Sequence, residues 1–338
     1  MPASLTHHKT MKIHNFTAFR DVRMDFVSGI NAFVGENGTG KTHVMKSLYA
    51  FQLAAARDGD IRQILKDLFQ VRELASLLRL GTEKDYAQVD GLFGHGDWAF
   101  AIHPPDSVAL SLNLDPPPRP VFIPAMDMMG HTRGFLQAAQ EVKLDFDRTC
   151  TDVVTLMGLE RKNGSRSAVT LEGLSKLLGG EVEYDDSDSR FYLVTPVGRL
   201  PMPLVGEGLR KIATLMRLAQ NGWLIPGNTL FWDEPEVNLN PKLMDEVVST
   251  LLTLSRAGIQ VFIATHSYVI LKELDLQSKP TDSVRYFAFQ PNVDGTTVAA
   301  FDDFALLEPN PILEQYDSLY DRELTRSTGR NRNGERVR

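Results

Sequence analysis

GENGTGKT, at residues 35–42, is the most informative stretch of the chain, because it fits the phosphate-binding pattern G-x-x-x-x-G-K-[ST]. A short apolar run, INAFV at 30–34, precedes it. VMKSLYAFQLAAA, at 44–56, follows it and reads as a helix. The order of strand, glycine loop and helix is the local structure that wraps a phosphate group. We therefore expect this stretch to bind the phosphates of a nucleotide.

Each residue type in this loop has a physical role. Glycine lets backbone N–H groups turn inward toward phosphate oxygens, and the positive end of the following helix dipole adds to the attraction. Lys41 reaches the β- and γ-phosphates, and the hydroxyl of Thr42 can ligate Mg²⁺. The expected nucleotide-binding residues of the loop are Gly35, Asn37, Gly38, Thr39, Gly40, Lys41, Thr42 and His43.

Two later strands end in polar side chains that suit the same chemistry. LFWDEP, at 230–235, is an apolar strand that ends in Asp233, which suits Mg²⁺, and Glu234, which can orient and deprotonate an attacking water. IATHS, at 263–267, ends the next strand, and His266 there can hydrogen-bond the γ-phosphate or the water. An acidic turn and an ordinary loop histidine are the simpler alternatives. The predicted catalytic residues are Lys41, Glu234 and His266, and the predicted metal ligands are Thr42 and Asp233.

Regular alternation of strand and helix occurs at the two ends of the chain, which predicts a mainly parallel sheet with helices on its faces. Residues 1–50 and 200–300 would form one split nucleotide-binding core. Residues 51–199 would be a long, mainly helical insertion with β-hairpins, and EVEYDDSDSRFYLVTPVGRL, at 181–200, reads as one of them. Residues 301–338 would be a C-terminal extension with an arginine-rich tail. That tail is either a solvated end or a contact for an anionic partner.

Composition limits the broad class of protein. The 338 residues carry a formal charge of −7, and 43% are hydrophobic and 23% charged, which is typical of a soluble globular protein. No apolar run approaches the ~18 residues that span a bilayer, and the amino-terminal sequence lacks the apolar core of a secretory signal. The single cysteine, Cys150, excludes an internal disulfide and favours the reducing cytoplasm. The net acidity argues against a protein that coats nucleic acid, but it allows a local contact.

The order of these motifs resembles that of ABC-type ATPases. NFTAF at 15–19 comes first, followed by GENGTGKT, a GEG sequence before a helix, LFWDEPEVNLNP at 230–241 and ATHS. The likeness is strongest with the branch of SMC, RecF and overcoming-lysogenization-defect (OLD) proteins and their small bacterial AAA-like relatives, and it is clearest over 11–50 and 200–275. It implies a P-loop NTPase fold of the α/β class, with ATP and Mg²⁺ as cofactors. Since ATP lies between two heads in that family, it also implies a homodimer or higher oligomer that hydrolyses ATP to ADP and phosphate.

The resemblance also assigns residues that would reach across such a dimer. LVGEGLR, at 204–210, lies at the position of the signature loop, although the family's usual serine is absent. Gly206, Glu207 and Gly208 would there approach the ATP that the partner head binds. Residues 238–241, NLNP, take the place of the D-loop, but a plain turn before a helix explains them equally well.

Two further contacts of the family have no definite counterpart in this sequence. Gln88 and the segment around Asp127 are candidates for the lid glutamine. Phe16 and Phe19 could lie near the adenine, while packing in the core is the simpler role for them.

Several functions fit these motifs. The first is an ATPase head that switches by nucleotide-dependent dimerisation and regulates a separately encoded effector, such as a nuclease or toxin; the resemblance implies bacterial anti-phage defence or a toxin–antitoxin-like system. The second is a DNA-repair or DNA-end-processing ATPase of the RecF/SMC type, with a nucleic-acid contact. A transporter subunit and a nucleotide-gated scaffold without turnover are further alternatives. We expect no membrane contact, no coiled-coil arms, because no heptads are sustained, and no nuclease domain after ATHS.

Overall fold

The computed structural model describes residues 6–81, 85–141, 145–159, 171–308 and 310–328. The strands in these ranges are β1 (His8–Phe16), β2 (Phe19–Asp25), β3 (Ile30–Gly35), β4 (Ala87–Phe93), β5 (Gly96–His103), β6 (Ser107–Asn113), β7 (Val121–Ile123), β8 (Glu181–Asp185), β9 (Arg190–Thr195), β10 (Gly198–Pro201), β11 (Thr229–Asp233), β12 (Gln260–Thr265), β13 (Val284–Gln290) and β14 (Thr297–Phe301). The α-helices are α1 (Lys41–Ala55), α2 (Ile61–Phe69), α3 (Phe135–Glu141), α4 (Arg148–Gly158), α5 (Leu171–Leu178), α6 (Glu207–Gln220), α7 (Met244–Arg256), α8 (Tyr268–Gln277) and α9 (Pro311–Thr328).

A six-stranded sheet with the order β14-β13-β3-β12-β11-β7 forms the centre of the molecule. All neighbouring strands in it are parallel except β13 and β14. Strands β3, β11 and β12 are buried along their whole lengths, as expected for parallel strands that are covered on both faces. The predicted α/β fold with a mixed, mainly parallel sheet is confirmed. The carboxyl ends of β3, β11 and β12 meet at one edge of this sheet, and the sequence motifs follow those ends.

A second sheet is antiparallel, has the order β2-β1-β4-β5-β6, and shares an apolar layer with α1 and the central sheet. Aromatic rings fill this layer; Phe51, for example, stacks on Trp98 with ring centroids 4.1 Å apart. Phe16 and Phe19 belong to it and have no exposed surface. The core-packing role of these two phenylalanines is therefore confirmed.

The stretch expected as an insertion contributes strands to both sheets. Within 51–199, β4 pairs with β1, and β7 lies beside β11 in the central sheet. The predicted hairpin at 181–200 is confirmed as β8 and β9, which pair antiparallel, with β10 beyond them. The division into a split core and an insertion stays a prediction, but strands β4 to β7 are an integral part of the sheets.

On its other face the central sheet packs against α4, α6, α7 and α8, which bury their apolar stripes in a second layer. Among the helices of the described ranges, none combines the length and the apolar character that a membrane crossing requires. Of the arginine-rich tail, Arg322 and Arg326 lie in α9, and residues 329–338 lie outside the described part of the chain.

His8 is buried where β1 crosses the edge of the central sheet. Its backbone N–H donates to Oε1 of Gln260 over 2.8 Å, and its Nε2 lies 3.1 Å from Oε1 of Gln52. The rings of Phe93 and Phe262 stand edge-on to the imidazole, with centroids 4.9 and 5.7 Å away. Burial among these rings lowers the pKa of His8 from 6.5 to about 3.

This burial predicts an acid-sensitive stability. Because the folded pKa of His8 is depressed, its contribution is complete above pH 6.5 and is lost as the pH falls toward 3, where the unfolded chain binds the extra proton. One pKa unit corresponds to about 1.4 kcal/mol, so the full effect is a few kcal/mol. Urea unfolding at pH 7.5 and pH 5 should show a smaller loss for His8→Gln than for the wild type. His14→Gln, at an exposed position of β1, is the control; equal losses in all three proteins would contradict the prediction.

Candidate active site

The phosphate-binding loop joins the end of β3 to the start of α1. Gly38 and Gly40 have φ angles of 79° and 94°, which favour glycine, and Gly40 directly precedes the first residue of α1. A Cβ atom on Gly40 would lie 2.6 Å from the ring of Phe19, so the loop also needs glycine there for space. A Cβ on Gly38 would meet no atom within 4 Å. The loop therefore leaves open space over Gly38, beside the amino terminus of α1, where an anion is favoured.

Lys41 is held inside this loop. Its ammonium group donates to the backbone oxygens of Gly35 and Glu36, over 2.9 and 2.8 Å. Burial lowers the pKa of Lys41 to about 8, against the opposing effect of the nearby carboxylates of Asp233 and Glu234. Among the described residues, this ammonium group donates to two loop carbonyls and to no carboxylate, so it can turn to a phosphate without breaking an ion pair.

Thr42 and Asp233 meet across the site, as the sequence predicts for a metal-binding pair. The Thr42 hydroxyl donates to Oδ2 of Asp233 over 2.9 Å. Burial raises the pKa of Asp233 to about 6, and the hydrogen bond from Thr42 works against that rise. No group of three or more His, Cys, Asp or Glu side chains in the described ranges could hold a metal alone. Mg²⁺ needs only one or two such oxygens when phosphates complete its shell, so this pair fits it.

Glu234 and His266 face each other beside that pair. Oε1 of Glu234 lies 3.5 Å from Nε2 of His266. Glu234 has a φ of 47°, and this bend is held because its N–H donates to the oxygen of Ala264 and its own oxygen accepts from the ammonium of Lys211. Burial and the charge of Lys41 lower the pKa of His266, against the opposing effect of Glu234. A neutral imidazole next to a carboxylate can accept a hydrogen bond from water or donate one to a phosphate.

One pocket is lined by residues from three separate parts of the chain, including the candidates Asn37, Glu234 and His266. They share the carboxyl edge of the central sheet: the phosphate loop follows β3, the acidic turn follows β11, and the histidine follows β12. The residues that line this pocket are Glu36, Asn37, Glu234, Glu236, Val237, His266 and Ser267.

The expected signature loop lies at the start of α6. Gly206 precedes its first residue, Glu207, and is exposed, and a Cβ atom built on Gly206 would meet nothing within 4 Å. Leu204 beside it is 73% exposed. Gly208 packs tightly instead, since a Cβ there would lie 2.5 Å from the oxygen of Asn238 in the expected D-loop. The two segments therefore form one surface, and neither the loop nor Asn238 lines the pocket that holds Glu234.

Two family models match the chain. One, described as "AAA domain, putative AbiEii toxin, Type IV TA system", matches residues 155–272, and another, described as "AAA ATPase domain", matches residues 9–75. The second range contains the phosphate loop. The first contains the signature loop, the acidic turn and His266.

The curated relatives include two proteins named DNA replication and repair protein RecF. The one from Pediococcus pentosaceus is 44% identical over 45 residues, which is 13% of this chain and 12% of that protein. The one from Exiguobacterium sp. is 29% identical over 85 residues, or 25% of this chain and 19% of that protein. The match therefore spans less than a fifth of the length of either relative.

Solved SMC heads share the fold over nearly their whole length. An SMC head bound to the C-winged helix domain of ScpA gives a TM-score of 0.60 at 14% identity and covers 88% of this chain and 98% of that one. The SMC head domain from Thermotoga maritima gives 0.51 at 15% identity, with coverage of 87% and 99%. The chain has the fold of an SMC head, and separate parts of it match ATPase family models and RecF proteins. At such low identity the solved structures establish the fold of this head and nothing more.

Other residues that the sequence singled out do not line the pocket. In this head Asp127 forms a buried ion pair with Arg210 of α6, with Oδ2 and Nε 2.5 Å apart. Gln88 lies in β4 and donates to Asp90 over 2.9 Å. The imidazole of His43 packs against Phe69 with centroids 5.4 Å apart. The lid role of Gln88 and the Asp127 segment and the nucleotide contact of His43 stay predictions.

Two residues that the sequence did not point to support the catalytic turn, one from α6 and one within the turn itself. Lys211 is 2% exposed, and its ammonium donates to the oxygen of Glu234 over 3.0 Å. Glu236 accepts hydrogen bonds from the end of β12. Glu236 could have been noticed as the third acid of the sequence DEPE, three residues after Asp233. Nothing in the sequence alone, however, shows that it pairs with β12.

Proposed function

We propose that this head binds ATP in the pocket beside the phosphate loop and hydrolyses it after closing against a second copy. One observation carries the proposal: the pocket contains two of the three catalytic candidates, Glu234 and His266, but no residue of the signature loop, which is exposed around Gly206. Each head then offers two unlike half-sites. A two-fold dimer would bring the signature loop of each head to the pocket of the other.

Residues in the pocket and in the adjoining loop and strand ends would divide the chemistry among them. The glycine loop and the first turn of α1 would bind the phosphates, with Lys41 as a point charge on the β- and γ-phosphates. Thr42 and Asp233 would hold Mg²⁺, which when bound neutralises charge on the phosphate oxygens. Glu234 would act as general base toward the attacking water, and His266 would orient that water or the γ-phosphate. The exposed amino terminus of α6 would add its dipole to the partner's γ-phosphate.

We further propose that the closed dimer controls a separately encoded effector in a bacterial defence or toxin–antitoxin-like system. The description of the family model over 155–272, which names the AbiEii toxin and a Type IV TA system, supports this setting. The solved head bound to the winged-helix domain of ScpA supports the idea that a head of this fold docks a partner protein.

A role in DNA repair is the second candidate, and the matches to RecF favour it. It predicts DNA binding that weakens steeply as salt rises, together with faster ATP hydrolysis when DNA is present. A titration with duplex and single-stranded DNA at low salt distinguishes the two roles. Unchanged hydrolysis and no binding would leave the effector role.

The proposal predicts that hydrolysis depends on head concentration. If two heads must meet to complete each site, phosphate release per head should rise with the concentration of the protein and then level off. Sedimentation velocity should show a dimer with ATP and Mg²⁺ and a monomer with ADP. Constant phosphate release per head, from a species that stays monomeric throughout the same concentration range, would contradict the proposal.

A further inference from the structure

Glu236 connects the two segments that carry the catalytic candidates. It lies in the turn after β11, two residues beyond Glu234. Its Oε1 accepts a hydrogen bond from the backbone N–H of His266 over 2.6 Å and another from the hydroxyl of Thr265 over 2.9 Å. A single carboxylate oxygen thus holds the last residue of β12 and the first residue after it.

The turn that presents Glu236 is itself fixed by backbone hydrogen bonds. The N–H of Val237 donates to the oxygen of Glu234 over 3.2 Å, and that of Leu239 donates to the oxygen of Glu236 over 2.9 Å. Beyond β12, the N–H of Ser267 donates to the hydroxyl of Thr265 over 3.0 Å. The carboxylate of Glu236 therefore joins two ordered segments, and the main chain of His266 cannot shift without breaking its bond.

The second carboxylate oxygen of Glu236 has no evident structural use. In the described ranges, Oε2 is buried and has no hydrogen-bond partner. Burial also raises the pKa of Glu236, against the opposing effect of the hydrogen bonds from His266 and Thr265. An unpaired buried oxygen costs stability, of the order of 1–3 kcal/mol.

We infer that Glu236 is a positioning residue, which acts through the main chain of His266 to set the imidazole against Glu234. The inference rests on the proposed function, because it needs ATP turnover as its readout. Although Glu236 lines the pocket, this role requires no contact of its side chain with ATP or with the attacking water. Its removal should therefore affect the rate of hydrolysis and leave the binding of ATP intact.

Glu236→Ala and Glu236→Gln separate this role from a loss of charge. The alanine variant lacks any acceptor for the N–H of His266, and a misplaced catalytic group can cost about 10²-fold in kcat. KM for ATP should stay within about twofold, since the phosphate loop keeps its contacts. The glutamine variant keeps a carbonyl oxygen that can accept both hydrogen bonds, so it should retain most of the turnover. Glu246→Ala, at an exposed position of α7, is the matched control.

A double-mutant cycle with His266→Ala tests the route of the effect. If Glu236 acts through His266, then Glu236→Ala/His266→Ala should hydrolyse ATP no more slowly than His266→Ala alone. If the losses in turnover of the two single variants multiply in the double variant, the inference is overturned. A Glu236→Gln variant as slow as Glu236→Ala would overturn it as well. Thermal unfolding and ATP affinity, measured on each variant, identify any that fail to fold; Glu236→Gln then still decides the question.

Failure of the inference and failure of the proposed function give different results. If the wild type releases no phosphate at any concentration, the proposed function is wrong. If the wild type is active and Glu236→Ala is equally active, only the positioning role is wrong.

Discussion

Glu234→Gln is expected to bind ATP normally, to hydrolyse it at least ~10²-fold more slowly, and to accumulate as an ATP-bound dimer. Glutamine keeps the shape of the side chain but cannot take a proton from the attacking water. The bend at Glu234 should survive, because the bonds from Lys211 and to Ala264 involve only backbone atoms of residue 234. Phosphate release and sedimentation velocity in ATP and Mg²⁺ measure the two effects.

The same chemical change at an exposed site provides the control. Glu246→Gln, in the first turn of α7, removes one carboxylate without touching the pocket. It should behave as the wild type in both measurements. Unchanged turnover in Glu234→Gln would mean that another group activates the water, and it would contradict the role given to Glu234.

Gly206→Leu is expected to fold normally and yet to lose turnover and ATP-dependent dimerisation. Gly206 has a φ of −57°, which any residue adopts, and a Cβ there meets no atom of its own head. In the closed dimer the same space would be occupied by the partner's ATP, so a leucine would hold the two heads apart. Gly173→Leu, at an equally open and exposed position of α5, should leave phosphate release unchanged.

Mixing two inactive variants tests whether the signature loop acts on the partner head. Lys41→Ala damages the pocket of its own head, and Gly206→Leu damages the surface offered to the other head. Each mixed dimer has one site free of both changes and a leucine at its other site, so turnover should return to at most about a quarter of the wild-type value. A mixture as inactive as its components would contradict action across the dimer.

The sequence predicts those parts of the site that depend on local backbone. GENGTGKT specifies its own loop because its glycines set the φ angles at Gly38 and Gly40. The DEP and THS motifs, at 233–235 and 265–267, could be predicted to lie close together. Both follow buried strands, and the carboxyl ends of neighbouring parallel strands meet at one edge of a sheet. That reasoning requires only strand type and order.

Contacts between segments that are distant along the chain could not be predicted from the sequence. Nothing in the composition of 87–113 shows that β4 pairs with β1, because an antiparallel register depends on a partner far along the chain. For the same reason, the sequence did not predict the hydrogen bond from His266 to Glu236 or the packing of Gly208 on Asn238. Each contact depends on how two elements lie side by side. Both contacts involve residues of the functional motifs. The motifs could be recognised in the sequence, but the contacts between them could not.

The order of the central sheet has a consequence for how the chain is made. Strand β3 is apolar and fully buried, and its two neighbours, β12 and β13, are synthesised more than 200 residues later. The strands of the antiparallel sheet can pair as soon as residue 113 has left the ribosome, but β3 remains an unpaired apolar segment. Contacts so distant along the chain also form slowly. The topology that gathers the candidate site thus leaves an apolar strand unpaired, and prone to aggregation, until the last third of the chain has been translated.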